Sequence, residues 1–273
     1  MKRAMSLAAG GRKVAIVTGA GTGIGAAVSR RLGARGFDVV LAGRREEPLL
    51  AVAERVRAAG GTARVVPGDV TVAADVERIV AAAGDRLDVL VHSAGQGHCL
   101  RIDELSEQEF RQTLDVAVVG AFLTAKAALP LLRRTAGGPG HIIQICSLAS
   151  GGTWNREVGY GTAKGAQLKF ALHLASQLRE ELEAGGRALH SQAVCPGTVD
   201  TPFWDRIPQR SADPATTLTA DEVAWVVEQW IDNPSATAET LAEIKPRSEI
   251  VIKRHAPFER FDNVIAIAHE SHP

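Results

Sequence analysis

The chain has 273 residues, 45% apolar and 23% charged, with 31 basic residues against 31 acidic ones and a pI near 7.1. That composition supplies a sizeable core, argues against disorder, and leaves no broad basic field for nucleic acid or an anionic membrane. Its three scattered cysteines, Cys99, Cys146 and Cys195, form no C-x-x-C pair, so a disulfide framework or zinc site is not expected and a reducing cytoplasm is.

The first eleven residues, MKRAMSLAAGG, hold no apolar run of signal-peptide length, and no stretch reads as long enough to span a bilayer. KVAIVT (13–18) reads as a buried strand, and a glycine-rich turn leads from it into a helix running to about Gly36. DVVLAG (38–43) is a second strand, followed by a helix over 46–59 that stops at Gly-Gly. ARVVPGD (63–69) ends a third strand, and 72–83 forms the next helix. LDVLVHSAG (87–95) is a fourth strand with its exit turn. A long helical region, about 107–134, leads to the strand HIIQICS (141–147). A second long helix covers roughly 158–184, and RALHSQAVCPG (187–197) is a sixth strand and turn. A short helix, about 220–231, precedes a last strand, EIVIK (249–253). Repeated β-α units of this length predict one doubly wound α/β domain of the Rossmann type, a parallel sheet with helices on both faces. Ligands in such folds bind at the carboxyl ends of the strands, where the strand order reverses.

Several unusual features fall at those ends. T-G-A-G-T-G-I-G (18–25) has four glycines between a strand and a helix, although it does not fit G-x-G-x-x-G. Such a turn lets backbone amides and a helix N-terminus approach a pyrophosphate. The second strand ends in Gly43-Arg44-Arg45, with no acid to hold a ribose 2′-hydroxyl. A guanidinium there matches the 2′-phosphate of NADP, which is favoured, with NAD as the alternative. Asp69 and Val70 end the third strand; Asp69 either flanks adenine or caps the following helix. Tyr160 is the only tyrosine in the chain, and Lys164 lies four residues on, on the same helix face. At roughly 5 Å and an effective dielectric of about 20, the ammonium favours the phenolate by about 3 kcal/mol, or about two pKa units.

Together these residues resemble the short-chain dehydrogenase/reductase family over about 12–253. The resemblance is carried by T-G-A-G-T-G-I-G, G-D-V (68–70), S-A-G (93–95), Ser147 thirteen residues before Tyr160, Y-G-T-A-K (160–164) and C-P-G-T-V-D-T (195–201). It implies an oxidoreductase passing hydride between nicotinamide and a carbonyl or secondary alcohol. Tyr160 would be the general acid/base, Ser147 would hydrogen-bond the substrate oxygen, and Lys164 would tune Tyr160 and hold the nicotinamide ribose. The cofactor residues expected are Gly19, Thr22, Gly23, Ile24, Gly25, Arg44, Asp69, Val70, Ala94, Gly95, Pro196, Gly197, Val199 and Thr201, with Tyr160 and Lys164. Two departures stand out. His92 and Ser93 occupy the asparagine positions of the family's N-N-A-G, and Ala117 replaces the asparagine of N-x-x-G that relays protons to the lysine. His92 is read as a packed sheet residue that donates and accepts as an asparagine does. Cys146 and Cys195 are read as small packing residues beside the site.

In the resemblance, the segment 201–217 folds over the substrate. Phe203 and Trp204 there, and Trp154 in the loop before Tyr160, either wall an apolar substrate site with Ser147 or serve as ordinary packing. Trp225 and Trp230 belong to the core. Family members usually form tetramers or dimers, so a homo-oligomer is expected. The tail from 254 lies beyond the match; its V-I-A-I-A run docks on a neighbouring subunit or packs locally, and His269 and His272 are too few for a metal site. A small-molecule substrate, with neither nucleic acid nor membrane as partner, is the expectation. Two functions remain in view: an NADP-linked oxidoreductase, or a non-catalytic dinucleotide-binding sensor that has lost its proton relay.

Overall fold

Val14–Thr18 (VAIVT) is apolar but for its last residue and wholly buried, as a strand covered on both faces must be. It is β1 of a computed structural model that describes residues 11–206, 217–234, 250–253 and 264–269. α1 (Gly23–Ala34), β2 (Asp38–Gly43), α2 (Glu46–Ala58), β3 (Thr62–Pro67), α3 (Ala73–Ala81) and β4 (Val89–His92) follow. Then come α4 (Glu107–Leu114), α5 (Gly120–Arg134), β5 (Gly140–Ile145), α6 (Val158–Glu183) and β6 (Leu189–Pro196). Beyond them lie β7 (Val199–Asp200), β8 (Leu218–Thr219), α7 (Ala220–Asp232), β9 (Ile250–Lys253) and β10 (Val264–His269).

Among the described residues, eight strands form one sheet in the order β3-β2-β1-β4-β5-β6-β10-β9. All neighbours pair parallel except β9, which runs antiparallel to β10. The sheet is thus the doubly wound type expected, with the order reversing between β1 and β4. α1, α2 and α7 bury Leu32, Val56 and Trp230 against one face; α3, α5 and α6 bury Ile79, Leu132 and Leu178 against the other. Trp230 is fully buried and Trp225 packs on the same cluster, as the core assignment requires. α7 is started by a Thr219–Glu222 capping box. It is tied to α1 by Arg31, whose guanidinium reaches Asp221 at 2.7 Å and Glu228 at 2.5 Å.

Three sequence expectations need correction. EIVIK is not the last parallel strand: it is the antiparallel edge, and the V-I-A-I-A run slots between it and β6 as β10. The tail therefore packs locally, its Ile265 and Ile267 wholly buried. The long helical region is interrupted, because Asp115–Val119 winds as a π-helical turn between α4 and α5. Finally, Glu107–Arg134 does contain an apolar stretch long enough to cross a membrane by composition alone. Its Ala125, Ala128, Leu131 and Leu132 are buried in the cluster beneath the sheet. The short β7-β8 pair, which ties Val199 to Leu218 just past the sixth strand, had no sequence signal of its own.

Candidate active site

A cleft of about 420 Å³ opens where the first, second, fourth, fifth and sixth strands end. Its floor is built by glycines whose missing side chains leave the space. A Cβ on Gly19, which sits at φ 63°, would lie 2.8 Å from Ala94 N and from Ser93 O, so the turns after β1 and β4 touch only because Gly19 has none. A Cβ on Gly25 would lie 2.3 Å from Gly19 O, which fixes how closely α1 approaches its own entry turn. α1 begins at Thr22 without a side-chain cap, so its leading N–H groups face the cleft with no side chain of their own satisfying them. This cradle fits a pyrophosphate. Arg44 lines the cleft just past the end of β2.

Asp69 and Val70 line the same cleft. Asp69 also accepts hydrogen bonds from Thr71 N at 2.9 Å and Thr71 Oγ1 at 2.8 Å; these shape the turn before α3 and do not cap it, since its N-cap Val72 makes no side-chain cap hydrogen bond. Thr22, Gly23, Ile24, Ala94, Gly95, Pro196, Gly197, Val199 and Thr201 are all brought to this cleft; Gly25 lies behind it. Gly197 N donates to Ile267 O at 2.8 Å, so β10 holds the turn after β6.

Ser147, Tyr160 and Lys164 meet at the inner end of the cleft. The Tyr160 ring packs 5.5 Å, centroid to centroid, from Phe203 and over Gly97, whose Cβ would lie 2.4 Å from it. Ser147 accepts from Ala149 N at 3.1 Å. Burial pushes the Tyr160 phenol above its ordinary value; a hydrogen bond with Ser147 works the other way, and the Glu157 carboxylate adds to the rise. This corrects the expectation of a depressed Tyr160. The i,i+4 estimate counted the attraction of Lys164 and omitted the cost of putting a phenolate into a packed site. Lys164 is also turned inward: Nζ donates to Ile145 O and to Gln167 Oε1, each at 2.8 Å, and stands 5.9 Å from the Tyr160 ring centre. Burial lowers its own pKa.

His92 is wholly buried, with Nδ1 3.3 Å from the hydroxyls of Thr18 and Thr124 and Nε2 3.3 Å from Val116 O. It thus ties β1 and β4 to the π-helical turn, donating and accepting as the sequence suggested. Burial, and after it the charge of Lys164, hold its pKa down to about 3, so the ring is neutral at any working pH. Ala117 is buried within the π-helical turn and offers no polar atom. Cys146 and Cys195 are buried in one small cluster, and burial pushes the Cys195 thiol well up, which suits packing rather than reactivity.

Trp154 is 40% exposed and lines a small side cavity of about 40 Å³ with Ser147, Glu157, Tyr160 and Trp204. Phe203 and Trp204 stand edge to face at 5.1 Å, and Trp204 Nε1 donates to Val199 O at 2.8 Å. The rest of the expected substrate segment, 207–216, the side chain of His269 and the whole of His272 lie outside the described residues. Sequence reasoning missed Gln167, Gln144 and Glu157. Gln167 had a usable signal, because it stands three residues after Lys164 on the same helix face; Gln144 and Glu157 had none.

The sequence pattern of the family described as short chain dehydrogenase matches residues 13–212. The chain is 38% identical over 200 residues to the short-chain reductase protein NovJ of Streptomyces niveus, covering 72% of this chain and 73% of that one. It is 34% identical over 197 residues to an uncharacterized oxidoreductase of Staphylococcus epidermidis, covering 71% and 80%. Among solved structures it is similar to an alcohol dehydrogenase from the archaeon Thermococcus sibiricus complexed with 5-hydroxy-NADP. The TM-score is 0.69 and the identity 30%, over 81% of this chain and 91% of that one. A short-chain dehydrogenase/reductase of Burkholderia phymatum in complex with NAD gives a TM-score of 0.73 at 25% identity, over 81% and 86%.

Proposed function

The chain belongs to the short-chain dehydrogenase/reductase family, and from that premise we propose that it reduces the carbonyl of a small apolar substrate at the expense of NADPH. The observation that carries this reading is the meeting of Ser147, Tyr160 and Lys164 at the inner end of a glycine-floored cleft. The nicotinamide, when bound, supplies the hydride. Gly19, Thr22, Gly23 and the start of α1 would receive its pyrophosphate, and Arg44 the 2′-phosphate. Pro196, Gly197, Val199 and Thr201 would border its nicotinamide end. The proteins similar to this one carry NADP-type and NAD cofactors in their structures, so the preference rests on Arg44 alone.

Tyr160 would donate its proton to the carbonyl oxygen while Ser147 hydrogen-bonds the same atom. A protonated phenol is the form that reduction needs, and burial holds Tyr160 in that form. Phe203 and Trp204 would keep water from the reacting atoms. The bare aromatic rim of Trp154, Phe203 and Trp204 suits an apolar group next to the carbonyl, with Glu157 at its edge.

A second reading has one specific support: Ala117 removes the amide of the usual relay, which suits a protein that binds the dinucleotide without turning it over. The test separates the two. Oxidation of NADPH is followed with a panel of apolar ketones and aldehydes, in the wild type and in Tyr160→Phe. A loss of about 10²–10⁴-fold in kcat/KM is expected from removing the acid. A Tyr160→Phe variant as active as the wild type ends the proposed mechanism, and NADPH binding without turnover on any substrate favours the second reading.

A further inference from the structure

Beneath the cleft lies a buried polar chain that the proposed chemistry has not used. Gln167 and Gln144 are both wholly buried, one on α6 and one on β5. Lys164 Nζ donates to Gln167 Oε1 at 2.8 Å, and Gln167 Nε2 donates to Gln144 Oε1 at 3.0 Å. Ile145, the neighbour of Gln144, supplies the second acceptor of the ammonium. Gln144 Nε2 has no partner among the described residues.

The orientation of this chain follows from the charge at its head. An ammonium tolerates only an acceptor, so Gln167 must present its oxygen to Lys164. That leaves Gln167 an amide donor, which only the oxygen of Gln144 can receive, and so the nitrogen of Gln144 is left over. Two leucines would pack the same volume without burying an unsatisfied N–H, so packing alone does not explain two amides here. The side chain of Ala117, on the π-helical turn that packs against α6, has no group that could accept from Lys164.

We propose that Gln167, steadied by Gln144, is the positioning residue for Lys164: it keeps the buried ammonium charged and fixed on the floor of the cleft, from within α6 itself. The inference rests on the oxidoreductase reading only for its purpose, since the contacts exist without cofactor. With two donors engaged below, one Nζ–H remains for the cleft, on the side opened by Gly95, whose Cβ would stand 3.7 Å from Nζ. The other titratable groups around the ammonium are Tyr160 on α6, His92 at the end of β4, Cys146 after β5 and Cys195 on β6. His92 is neutral and the thiols are buried, so Gln167 is the neutral contact whose loss should act most directly.

The test is an NMR titration of protein carrying ¹³C-labelled lysine side chains, without cofactor. The Lys164 signal is identified by its disappearance in Lys164→Ala. In Gln167→Met, which keeps the volume and removes the acceptor, Lys164 should lose its proton about one pH unit lower, a tenfold change in acidity. Gln144→Met should give a smaller fall in the same direction. Should Gln167→Met not fold, Gln167→Glu places an anion at the same point and should raise the Lys164 pKa. A Lys164 titration that either folded Gln167 variant leaves unmoved overturns the proposal. In turnover assays the alkaline limb of the pH profile should follow Lys164 downward in Gln167→Met. A wild type inactive on every carbonyl, with the NMR shift still present, would refute the oxidoreductase reading and leave the positioning role standing.

Discussion

Two buried histidines make this fold sensitive to mild acid. His92 and His141 are held neutral by burial, their pKa values pushed down from 6.5 to about 3 and about 4. When the chain unfolds each regains an ordinary value and takes up a proton. The stability they confer is therefore complete above pH 6.5 and is lost as pH falls toward their folded values. At pH 5 the unfolded state gains about 1.36 × 1.5, or about 2 kcal/mol, from each ring, and about 4 kcal/mol from both. His190, stacked on His141 at 5.6 Å and also shifted downward by burial, adds to the same trend. Urea unfolding followed by tryptophan fluorescence at pH 7 and pH 5 measures the change. His92→Asn keeps a donor and an acceptor at the site but does not titrate. Whatever it does to stability at pH 7, it should cut the loss between pH 7 and pH 5 from about 4 to about 2 kcal/mol. A variant whose loss equals that of the wild type would show that His92 is not a buried neutral ring.

The cofactor end yields two further expectations. Arg44→Ala removes a charge-assisted contact to a 2′-phosphate, on the order of 1.5–3 kcal/mol. NADPH affinity, measured by fluorescence titration, should fall tenfold or more while NADH affinity holds; an unchanged preference refutes the NADP assignment. Gly25→Ala drives a methyl against the Gly19 carbonyl and should cost about 1–3 kcal/mol of stability together with most dinucleotide affinity. Gly36→Ala, in open space at φ 79°, should cost about 1 kcal/mol by thermal unfolding and leave binding intact. Equal effects on binding from the two would mean that the α1 entry turn does not form the cradle.

Sequence reading found the β-α alternation because the first four strands are short apolar runs followed closely by glycine, and it found the cleft because glycines, Arg44 and Ser147 follow strand ends. It failed where partners are distant in the chain. No β-α signature in the sequence marks VIAIA as a strand of the sheet, so its place beside β6 depended on pairing that no local pattern encodes. The π-helical turn hides in an unbroken apolar period, since one extra residue per turn leaves composition unchanged. The Tyr160 estimate had the right neighbour and the wrong environment. Spacing gives the distance to Lys164, but only the folded site shows that the ammonium is engaged by Ile145 and Gln167 and that Tyr160, half-buried in the cleft wall, loses solvation.

The position of β10 has a consequence for how the molecule is made. β6 carries Pro196 into the cleft, yet one of its two edges is paired by residues 264–267, and Gly197 N donates to Ile267 O. On a ribosome, the strands from β1 to β6 emerge before the strand that closes this edge. The side of the cleft proposed for the nicotinamide then closes after the side proposed for the pyrophosphate. A nascent chain would meet dinucleotide with a half-built cleft, able to grip the phosphates before it can seat the ring that reacts.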